Sequence, residues 1–266
     1  MTAPAVTLPV HLGVILLCHA DLDSAAGLAR IWATGGARVM IHVDSKAPAA
    51  DVARMRAALA ELDGIAFSPR RHCEWGGFSL VEATQEAGDM LLRQWPDCSH
   101  VFLASGSCLP LRPVQDLIAF LNDNPGRDFI ESVSAGDMGW TVGGLNEERF
   151  TLYFPFDWRR RRWFFDRAVA LQRRLRIRRK LPDGLLPHLG SQWWCLTAGT
   201  LRAILTDPRR ASFDRFFRQS WIPDESYFQS LARCHSAHIE SRSLTFARFD
   251  DKGRPCQLYD DHIPLL

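Results

Sequence analysis

The sequence lacks any apolar segment close to the roughly 20 residues that a membrane-spanning helix needs. It also lacks paired cysteine spacing, because its seven cysteines form neither a C-x-x-C nor a zinc-knuckle pattern. Unpaired cysteines are typical of a reducing compartment. The apolar run 12–18 has no basic leader and continues into His19 and Asp21, so we interpret it as a strand and not as a signal peptide. These features predict a cytoplasmic protein, with any membrane contact peripheral to the inner membrane.

Several nucleotide-binding motifs are also missing. No G-x-G-x-x-G follows the first apolar run, and no G-x-x-x-x-G-K-[ST] occurs. These absences argue against a classical NAD enzyme and against a P-loop NTPase. No strand ends in Asp-x-Asp, the usual way in which such a sheet holds a metal to a nucleotide diphosphate. The pairs Asp250-Asp251 and Asp260-Asp261 resemble turn acids, so we predict no metal site.

What is present is a regular alternation of strand and helix patterns. The predicted strands are the apolar runs 13–17, 38–43, 64–67, 100–104 and 127–131. The predicted helices between them cover 22–34, 48–61, 79–94 and 113–123. This order predicts an α/β fold, Rossmann-like, with a mostly parallel sheet and helices on both faces. In such a sheet, ligands bind beyond the carboxyl ends of the strands.

Polar and aromatic residues follow the predicted strand ends. Asp44 could accept hydrogen bonds from a uracil or a ribose, and Lys46 and Arg70 could neutralise phosphate. The alternative for each is a strand-end cap or a solvated charge. Trp75 offers a stacking face, and Gly76 beside it permits close backbone approach to a ligand. The alternative for Trp75 is ordinary core packing.

A candidate catalytic base lies in the segment Pro223-Asp224-Glu225. Proline favours the first turn of a helix, where an ionised carboxylate meets the positive end of the helix dipole. The alternative is that both acids only complement a helix N-terminus.

The segment 158–180 is strongly basic, with eleven arginine and lysine residues between Trp158 and Lys180 against one acid, Asp166. Apolar residues at helical spacing predict that one face of a helix packs, namely Trp163, Phe164, Ala168, Leu171 and Leu175. A solvated face is one interpretation of the cations. Because so many like charges repel, we favour an anionic partner, either a bacterial inner membrane or an acidic glycan. Nucleic acid is not predicted, since no recognised binding fold is present.

Five blocks of the sequence, taken in order, resemble the family of core-2/I-branching β-1,6-N-acetylglucosaminyltransferases and peptide O-xylosyltransferases, in a bacterial form. The resemblance covers nearly the whole chain. The blocks are Ile-Leu-Leu-Cys-His at 15–19, Ile-His-Val-Asp-Ser-Lys at 41–46, the segment 70–81 around Trp-Gly-Gly, Leu-Ala-Ser-Gly-Ser-Cys-Leu-Pro at 103–110, and Gly-Ser-Gln-Trp-Trp-Cys-Leu at 190–196 followed by Ile-Pro-Asp-Glu-Ser-Tyr-Phe at 222–228.

The resemblance implies a glycosyltransferase-A fold and an inverting transfer from a UDP-sugar, UDP-GlcNAc or UDP-xylose, to a glycan hydroxyl, without a divalent metal or other cofactor. Glu225 matches the general base, and Asp224 is then a supporting residue. The expected donor-binding residues are His19, Asp44, Lys46, Arg70, Trp75, Gly76 and Ser105. The expected donor or acceptor contacts are Glu131, Gln192, Trp193 and Trp194. Burial in a strand is the alternative for Trp194, and a capping or salt-bridge role is the alternative for Glu131.

Without a metal, cations must stabilise the charge that develops on the departing diphosphate. The family implies an arginine for this role, for which Arg254 is the first candidate and Arg248 the second. It also implies a lysine that would follow the segment near Asp261, so we expect the sequence to be truncated before that ligand. Cys108 stands where relatives have aspartate, and a thiol cannot supply the same fixed charge.

We therefore predict one catalytic domain over 1–266, with a nucleotide-sugar half at 1–131 and an acceptor and catalytic half at 132–266. The alternative function is a catalytically weak glycan- or membrane-binding domain within a polysaccharide-assembly protein. Cys108 and the early C-terminus favour this alternative, whereas the Glu225 block, Asp44 and Trp75 favour the enzyme.

Overall fold

The computed structural model describes residues 10–139, 145–155, 162–250, 256, 258–259 and 262. Its strands are β1 (Leu12–Cys18), β2 (Arg38–Val43), β3 (Ile65–Phe67), β4 (His100–Ser105), β5 (Asp128–Phe129), β6 (Val133–Ser134), β7 (His188–Leu189), β8 (Cys195–Thr197) and β9 (Ile239–Glu240). Its helices are α1 (Leu22–Thr34), α2 (Ala49–Ala58), α3 (Ser79–Gln94), α4 (Val114–Asp123), α5 (Glu148–Thr151), α6 (Arg162–Arg174), α7 (Ala198–Thr206), α8 (Arg210–Phe217) and α9 (Tyr227–His235). A 3₁₀ turn, Pro223–Glu225, precedes α9.

The main sheet contains seven strands in the order β3-β2-β1-β4-β8-β5-β9. β1 pairs in parallel with β2 and β4, and β2 pairs in parallel with β3. β8 is antiparallel to both β4 and β5. Because β8 and β9 come from the second half of the sequence, the two halves of the chain share one sheet. A separate antiparallel pair joins β6 to β7.

This architecture confirms the predicted α/β class, and it is consistent with a glycosyltransferase-A type of fold. The first four predicted strands agree with β1 to β4 within one residue at each end. The predicted helices 22–34 and 79–94 have the bounds of α1 and α3. The fifth predicted strand is shorter than expected, because only Asp128–Phe129 pairs with neighbours.

The hydrophobic core fills both faces of the sheet. Along β1, Ile15 and Leu17 pack in one buried cluster, whereas Val14 and Leu16 pack in the other. This alternation follows from the period of two in a strand, and it explains why β1 is apolar at every position. The carboxyl ends of the parallel strands are therefore fixed by packing from both sides.

A third, smaller cluster lies beneath α6 and corrects one prediction. Phe165 and Val169 of α6 are buried there with Phe154, and Trp221 packs against them. The predicted packing face was wrong, because Trp163 is 67% exposed and Leu171 is 55% exposed. The predicted face and the observed buried face, with Phe165 and Val169, both have helical spacing. The sequence pattern alone therefore does not decide which face packs against the core. Phe164 and Leu175 are likewise exposed, and Ala168 is half-buried.

Within the described part of the chain, no helix combines the length and the apolar character that crossing a bilayer requires.

Candidate active site

The segment that carries the candidate base is a single 3₁₀ turn, not the first turn of an α-helix as predicted. Pro223–Glu225 forms the turn, and α9 begins only at Tyr227. Ile222 before it has a left-handed backbone with φ of 48°. Such a conformation is uncommon for a β-branched residue, so the surrounding packing must hold it. Ile222 is buried, so packing fixes the backbone that leads into the 3₁₀ turn.

Glu225 forms an ion pair with a buried arginine. The Nη1 of Arg149 donates to Oε2 of Glu225 at 2.8 Å, and the side chains are 4% and 28% exposed respectively. Arg149 is held from other sides as well, since its Nε donates to the carbonyl of Leu145 and its guanidinium lies 4.9 Å from the ring centre of Trp221. The carboxylate of Glu225 therefore has a fixed orientation and remains partly open to solvent.

Asp224 is buried beside Glu225. Burial raises the pKa of its carboxyl group from 3.8 to about 7, and the charge of Glu225 adds to this effect. Its Oδ1 is buried without a hydrogen-bond partner among the described residues. Neighbouring acids in different environments can have very different proton affinities, and such pairs are common at functional sites. The supporting role of Asp224 stays a prediction.

The segment around Gly190 joins Glu131 to the base. The amide of Gly190 donates to the carbonyl of Glu225 at 3.0 Å, and the amide of Ser191 donates to Oε2 of Glu131 at 2.8 Å. Gln229 Nε2 donates to the carbonyl of Ser191 at 2.6 Å. A Cβ on Gly190 would lie 1.8 Å from the backbone oxygen of Glu131, so only glycine fits here. Glu131 and Glu225 thus border the same short segment.

The predicted sugar-contacting residues after Gly190 differ in accessibility. Gln192 and Trp193 are half-buried, whereas Trp194 is only 1% exposed and packs on Phe228 with ring centres 5.0 Å apart. The carbonyl of Trp194 accepts from the amide of Leu103 in β4. The side chain of Trp194 therefore has the core position that the sequence left open as its alternative.

The loop between β3 and α3 approaches the candidate base through aromatic packing. Phe78, the residue before α3, packs edge-on against Tyr227 with ring centres 5.7 Å apart. Tyr227 donates its hydroxyl to Asp214 and accepts from Gln85 of α3, each at 2.8 Å. Because Tyr227 lies two residues after Glu225, this buried network ties α3 to the turn.

The strand-end cations and Asp44 bond mainly to backbone groups of the two loops that follow β2 and β3. Asp44 is buried, and its two carboxylate oxygens accept from the amides of Lys46 at 2.8 Å and Cys73 at 3.3 Å. Lys46 Nζ donates to the carbonyl of Cys73, and Arg70 Nη2 donates to the carbonyls of Asp44 and Ser45. These contacts are those of a strand-end cap, so contacts of these residues with a nucleotide stay a prediction.

Trp75 presents its indole at the surface, with 47% of the residue exposed. The adjacent Gly76 has φ of 72°, a left-handed conformation that favours glycine, and the amide of Gly77 closes the turn on the carbonyl of Glu74. The core-packing alternative for Trp75 is therefore wrong. An exposed indole above a tight turn is a suitable stacking surface for a ring.

A cleft of about 600 Å³ opens beyond β1 and β4. His19 and Ser105 line it together with Gly106, at the carboxyl ends of these two strands. Asp21, also in the lining, is the N-cap of α1 and accepts from the amide of Ser24. The structure thus brings His19 and Ser105 together, as expected from their places in the sheet.

The two candidate phosphate ligands toward the C-terminal end are Arg248 and Arg254. Arg248 is exposed, and its backbone carbonyl accepts from the amide of Cys256 at 2.7 Å. Arg254 lies outside the described residues. Cys108 is half-buried and burial raises the pKa of its thiol, a state that does not suit a nucleophile.

Comparison with known proteins gives the family directly. The model of the Core-2/I-Branching enzyme family matches residues 15–263. The chain belongs to this Core-2/I-branching family.

Several curated relatives of this Core-2/I-branching family member are xylosyltransferases. Xylosyltransferase 2 of Homo sapiens is 27% identical over 203 residues, which are 72% of this chain and 21% of the human protein. Xylosyltransferase oxt of Drosophila melanogaster is 24% identical over 201 residues, 74% of this chain and 19% of the relative. Xylosyltransferase sqv-6 of Caenorhabditis briggsae is 25% identical over 169 residues, 62% of this chain and 19% of the relative. The match thus spans about a fifth of the relatives' length, and together with the family it supports a glycosyltransferase.

Sequence reasoning missed two residues that hold the site of this Core-2/I-branching protein together. Arg149 follows Glu147 and Glu148, a setting typical of a solvated helix, and nothing local signals its burial. Gln229 is fully buried in α9 and bridges to Ser191. Its place one helical turn after Glu225 was the only available signal.

Among the described residues, no group of three or more histidine, cysteine, aspartate or glutamate side chains is arranged to hold a metal ion. Asp21 and Asp23 do have Asp-x-Asp spacing, but Asp21 caps α1 and Asp23 lies 3.4 Å from the guanidinium of Arg54.

Proposed function

We propose that the chain is an inverting glycosyltransferase that moves GlcNAc or xylose from a UDP-sugar to a hydroxyl group of a glycan acceptor. Glu225 is the general base in this proposal, and the reaction uses no divalent metal. Family membership supports the reaction class. The observation that carries the choice of base is the ion pair between Glu225 and Arg149, which orients a partly exposed carboxylate within an otherwise buried turn.

The proposed step is a single displacement. The carboxylate of Glu225 takes the proton of the acceptor hydroxyl while that oxygen forms a bond to the anomeric carbon. The bond between the anomeric carbon and the UDP oxygen breaks on the opposite face, and its electron pair leaves with UDP. The configuration at the anomeric carbon is therefore inverted. A fixed carboxylate favours this step because the acceptor oxygen must be held in line with the leaving group.

The donor is proposed to lie at the carboxyl ends of β1, β2 and β4. Trp75 supplies a stacking surface there, and His19 and Ser105 line the cleft of about 600 Å³. Asp44, Lys46, Arg70 and Gly76 shape the adjoining loops. Arg248 and Arg254 remain the proposed cations for the leaving diphosphate, since that charge needs compensation in a reaction without metal.

Glu131 is the proposed acceptor-side residue, together with Gln192 and Trp193. Glu131 contacts Ser191, whose neighbour Gly190 bonds to the backbone of Glu225. An acceptor bound at Glu131 would therefore lie near the base. Asp224 is proposed as a supporting residue that positions the turn, and Trp194 as part of the core beneath it.

The direct test is binding and turnover with defined donors. We expect UDP-GlcNAc or UDP-xylose to raise the melting temperature of the protein in the presence of EDTA, with no further rise when manganese replaces EDTA. The preferred donor should then be transferred, or slowly hydrolysed, with release of UDP. Stabilisation that depends on manganese would overturn the metal-independent part of the proposal. Absence of any shift and of UDP release would overturn the enzyme assignment.

A second candidate function is a weakly catalytic domain that binds a glycan or a membrane. The observation in its favour is that the carboxylate of Asp44 and the Nη2 of Arg70 bond to backbone groups of the loops after β2 and β3. Cys108 in place of the family's aspartate points the same way. This candidate predicts glycan or vesicle binding without UDP release.

A further inference from the structure

The outer face of α6 is an apolar surface without a covering element among the described residues. Trp163, Leu171 and Leu175 are 67%, 55% and 60% exposed. Single exposed apolar residues are normal, but a group on one side of one helix forms a patch that usually marks an interaction. The opposite side of α6 packs its Phe165 and Val169 into the cluster around Phe154. The helix thus has two apolar faces, and only one of them packs against other residues in the described part of the chain.

The patch has the shape of a stripe. Trp163 and Leu175 are separated by twelve positions, which correspond to about 18 Å along a helix. Leu175 continues the helical path, because its amide donates to the carbonyl of Leu171 at 2.9 Å. Trp163 therefore lies at one end and the two leucines toward the other, on the solvent side of the protein.

Cations lie within and beside this stripe. Arg167 and Arg174 project from the same side of α6, because they lie four positions after Trp163 and three after Leu171. Both are exposed, and neither forms an ion pair with a described residue. The guanidinium of Arg167 lies 5.5 Å from the ring centre of Trp163. Long basic side chains can place their carbon stems on apolar surface while the charge stays at the water boundary.

The residues after α6 add further cations beside the stripe. Some of these cations are exposed, whereas one is buried in the protein. Arg176, Arg178 and Lys180 are exposed. In contrast, Arg179 is buried and donates to the carbonyls of Leu152 at 3.0 Å and Gln219 at 2.8 Å. Arg179 therefore fastens the segment to the body of the protein, and its neighbours remain directed to solvent.

Arg173 also bonds within the protein, in this case to a carboxylate. Its guanidinium donates to both carboxylate oxygens of Glu148, at 2.7 and 2.6 Å. Glu148 is next to Arg149 in α5, so α6 is held near the element that orients Glu225. Even without Arg173 and Arg179, the exposed cations beside the apolar stripe remain, namely Arg167, Arg174, Arg176, Arg178 and Lys180.

We propose that the outer face of α6 and the following segment, residues 163–180, dock onto an anionic phospholipid bilayer. An interfacial helix combines an aromatic and leucine face with surrounding cations, and this chemistry matches the stripe. A polyanion such as nucleic acid would pair with the arginines but leave Trp163 and both leucines in water. A second copy of the same face would bring like charges together. This inference does not depend on the proposed transfer reaction.

The test is flotation of the full chain with two kinds of vesicle, phosphatidylcholine alone and phosphatidylcholine mixed with phosphatidylglycerol. We expect binding to the phosphatidylglycerol vesicles, weakened by salt because exposed charges are screened. The triple variant Trp163→Ser, Leu171→Ser, Leu175→Ser should bind at least tenfold more weakly. Its control is Leu109→Ser with Leu111→Ser, which removes other exposed leucines, 63% and 53% accessible.

The electrostatic part has a charge-matched control. Arg167→Gln with Arg174→Gln should lower binding to phosphatidylglycerol vesicles severalfold, whereas Arg202→Gln with Arg215→Gln should not, although both pairs remove two exposed cations. Equal binding to both vesicle types, no binding to either, or equal losses in test and control variants would overturn the proposal. So would a dimer in gel filtration that the triple variant abolishes in the absence of lipid. Circular dichroism of each variant checks that folding is retained.

Discussion

The Nη1 of Arg149 lies 2.8 Å from Oε2 of Glu225, and the arginine is the more deeply buried partner of the two. Arg149 comes from α5 and Glu225 from the turn before α9, so the pair joins parts of the chain that are 76 residues apart. The ring of Trp221 and the carbonyl of Leu145 fix the arginine from other directions. A buried guanidinium with fixed contacts is suited to positioning one carboxylate oxygen.

The first prediction concerns this arginine as a positioning residue. Replacing Arg149 by Met should lower kcat/KM by roughly 100-fold, because small displacements of a reacting group have effects of that size. It should also destabilise the fold by about 3 kcal/mol, since one member of a buried ion pair is removed. Arg149→Lys keeps the charge and should recover part of kcat without recovering the full orientation.

The measurements are steady-state kinetics and urea denaturation, with Arg202→Met as the control because Arg202 is exposed on α7. A double-mutant cycle with Glu225→Gln isolates the coupling between the two side chains. If Arg149→Met lost stability but kept its kcat and KM, Arg149 would have a structural role only.

The second prediction separates catalysis from donor binding. Glu225→Gln should reduce transfer by at least about 100-fold, since an amide cannot accept the acceptor's proton. Affinity for UDP should stay nearly unchanged, because the proposed base acts on the acceptor. Calorimetric titration with UDP and a transfer assay measure the two effects. Glu240→Gln is a suitable control, since the ion pairs of Glu240 with described residues are those with the exposed Arg127 and Arg242. Retention of most turnover in Glu225→Gln would mean that another group is the base.

How much could be predicted from the sequence depended on whether the signal was local. β1 to β4 and α1 to α4 followed from periodicity, since each buries a face whose spacing is visible along the chain. Residue pairs set by the tertiary fold were not visible, and Arg149 with Glu225 is the clearest example. The packing face of α6 failed for the same reason, because Phe165 and Val169 meet Trp221 from a distant segment. For Asp44 the sequence predicted a place at a strand end, but the two backbone amides that bond to its carboxylate come from two loops, and this contact depends on the tertiary fold.

The third prediction concerns Asp224 and pH. Burial raises its pKa from 3.8 to about 7 in the folded protein, so the folded state binds a proton that the unfolded state has released over this interval. This contribution to the free energy of unfolding therefore decreases as pH rises from about 4 to about 7 and is constant above that. The total change should be on the order of 4 kcal/mol.

Asp224→Asn removes this titration, so the stability of the unmodified protein relative to the variant should fall across the same interval. Urea denaturation at a series of pH values measures the difference. The same comparison in a Glu225→Gln background, between Glu225→Gln and the double variant Asp224→Asn, Glu225→Gln, provides a control. Its pH-dependent difference should be smaller, since the charge of Glu225 contributes to the raised pKa of Asp224. Parallel stability curves for the unmodified protein and Asp224→Asn would show that Asp224 does not titrate in this range.

The fourth prediction tests the close packing between the acceptor-side residue Glu131 and the base. A methyl group on Gly190 would lie 1.8 Å from the backbone oxygen of Glu131 and 2.6 Å from its carbonyl carbon, so backbone must move. Gly190→Ala should cost roughly 3 kcal/mol, at the upper end of overpacking effects. It should also lower transfer more than UDP binding, because Gly190 bonds to the backbone of Glu225.

Gly199→Ala is the matched control, since Gly199 lies in α7 and the nearest atom to a Cβ there is Oγ1 of Thr197 at 4.0 Å, an ordinary contact distance. That substitution should leave activity unchanged and raise stability by up to about 1 kcal/mol, because alanine favours a helix over glycine. Thermal and urea denaturation of both variants make the comparison. The same methyl group thus has opposite effects at two glycines only if Glu131 and the turn of Glu225 are as tightly joined as the structure has them. Similar stability for the two variants would mean that the segment at Gly190 can relax. The position of Glu131 relative to the base would then not be fixed by this contact.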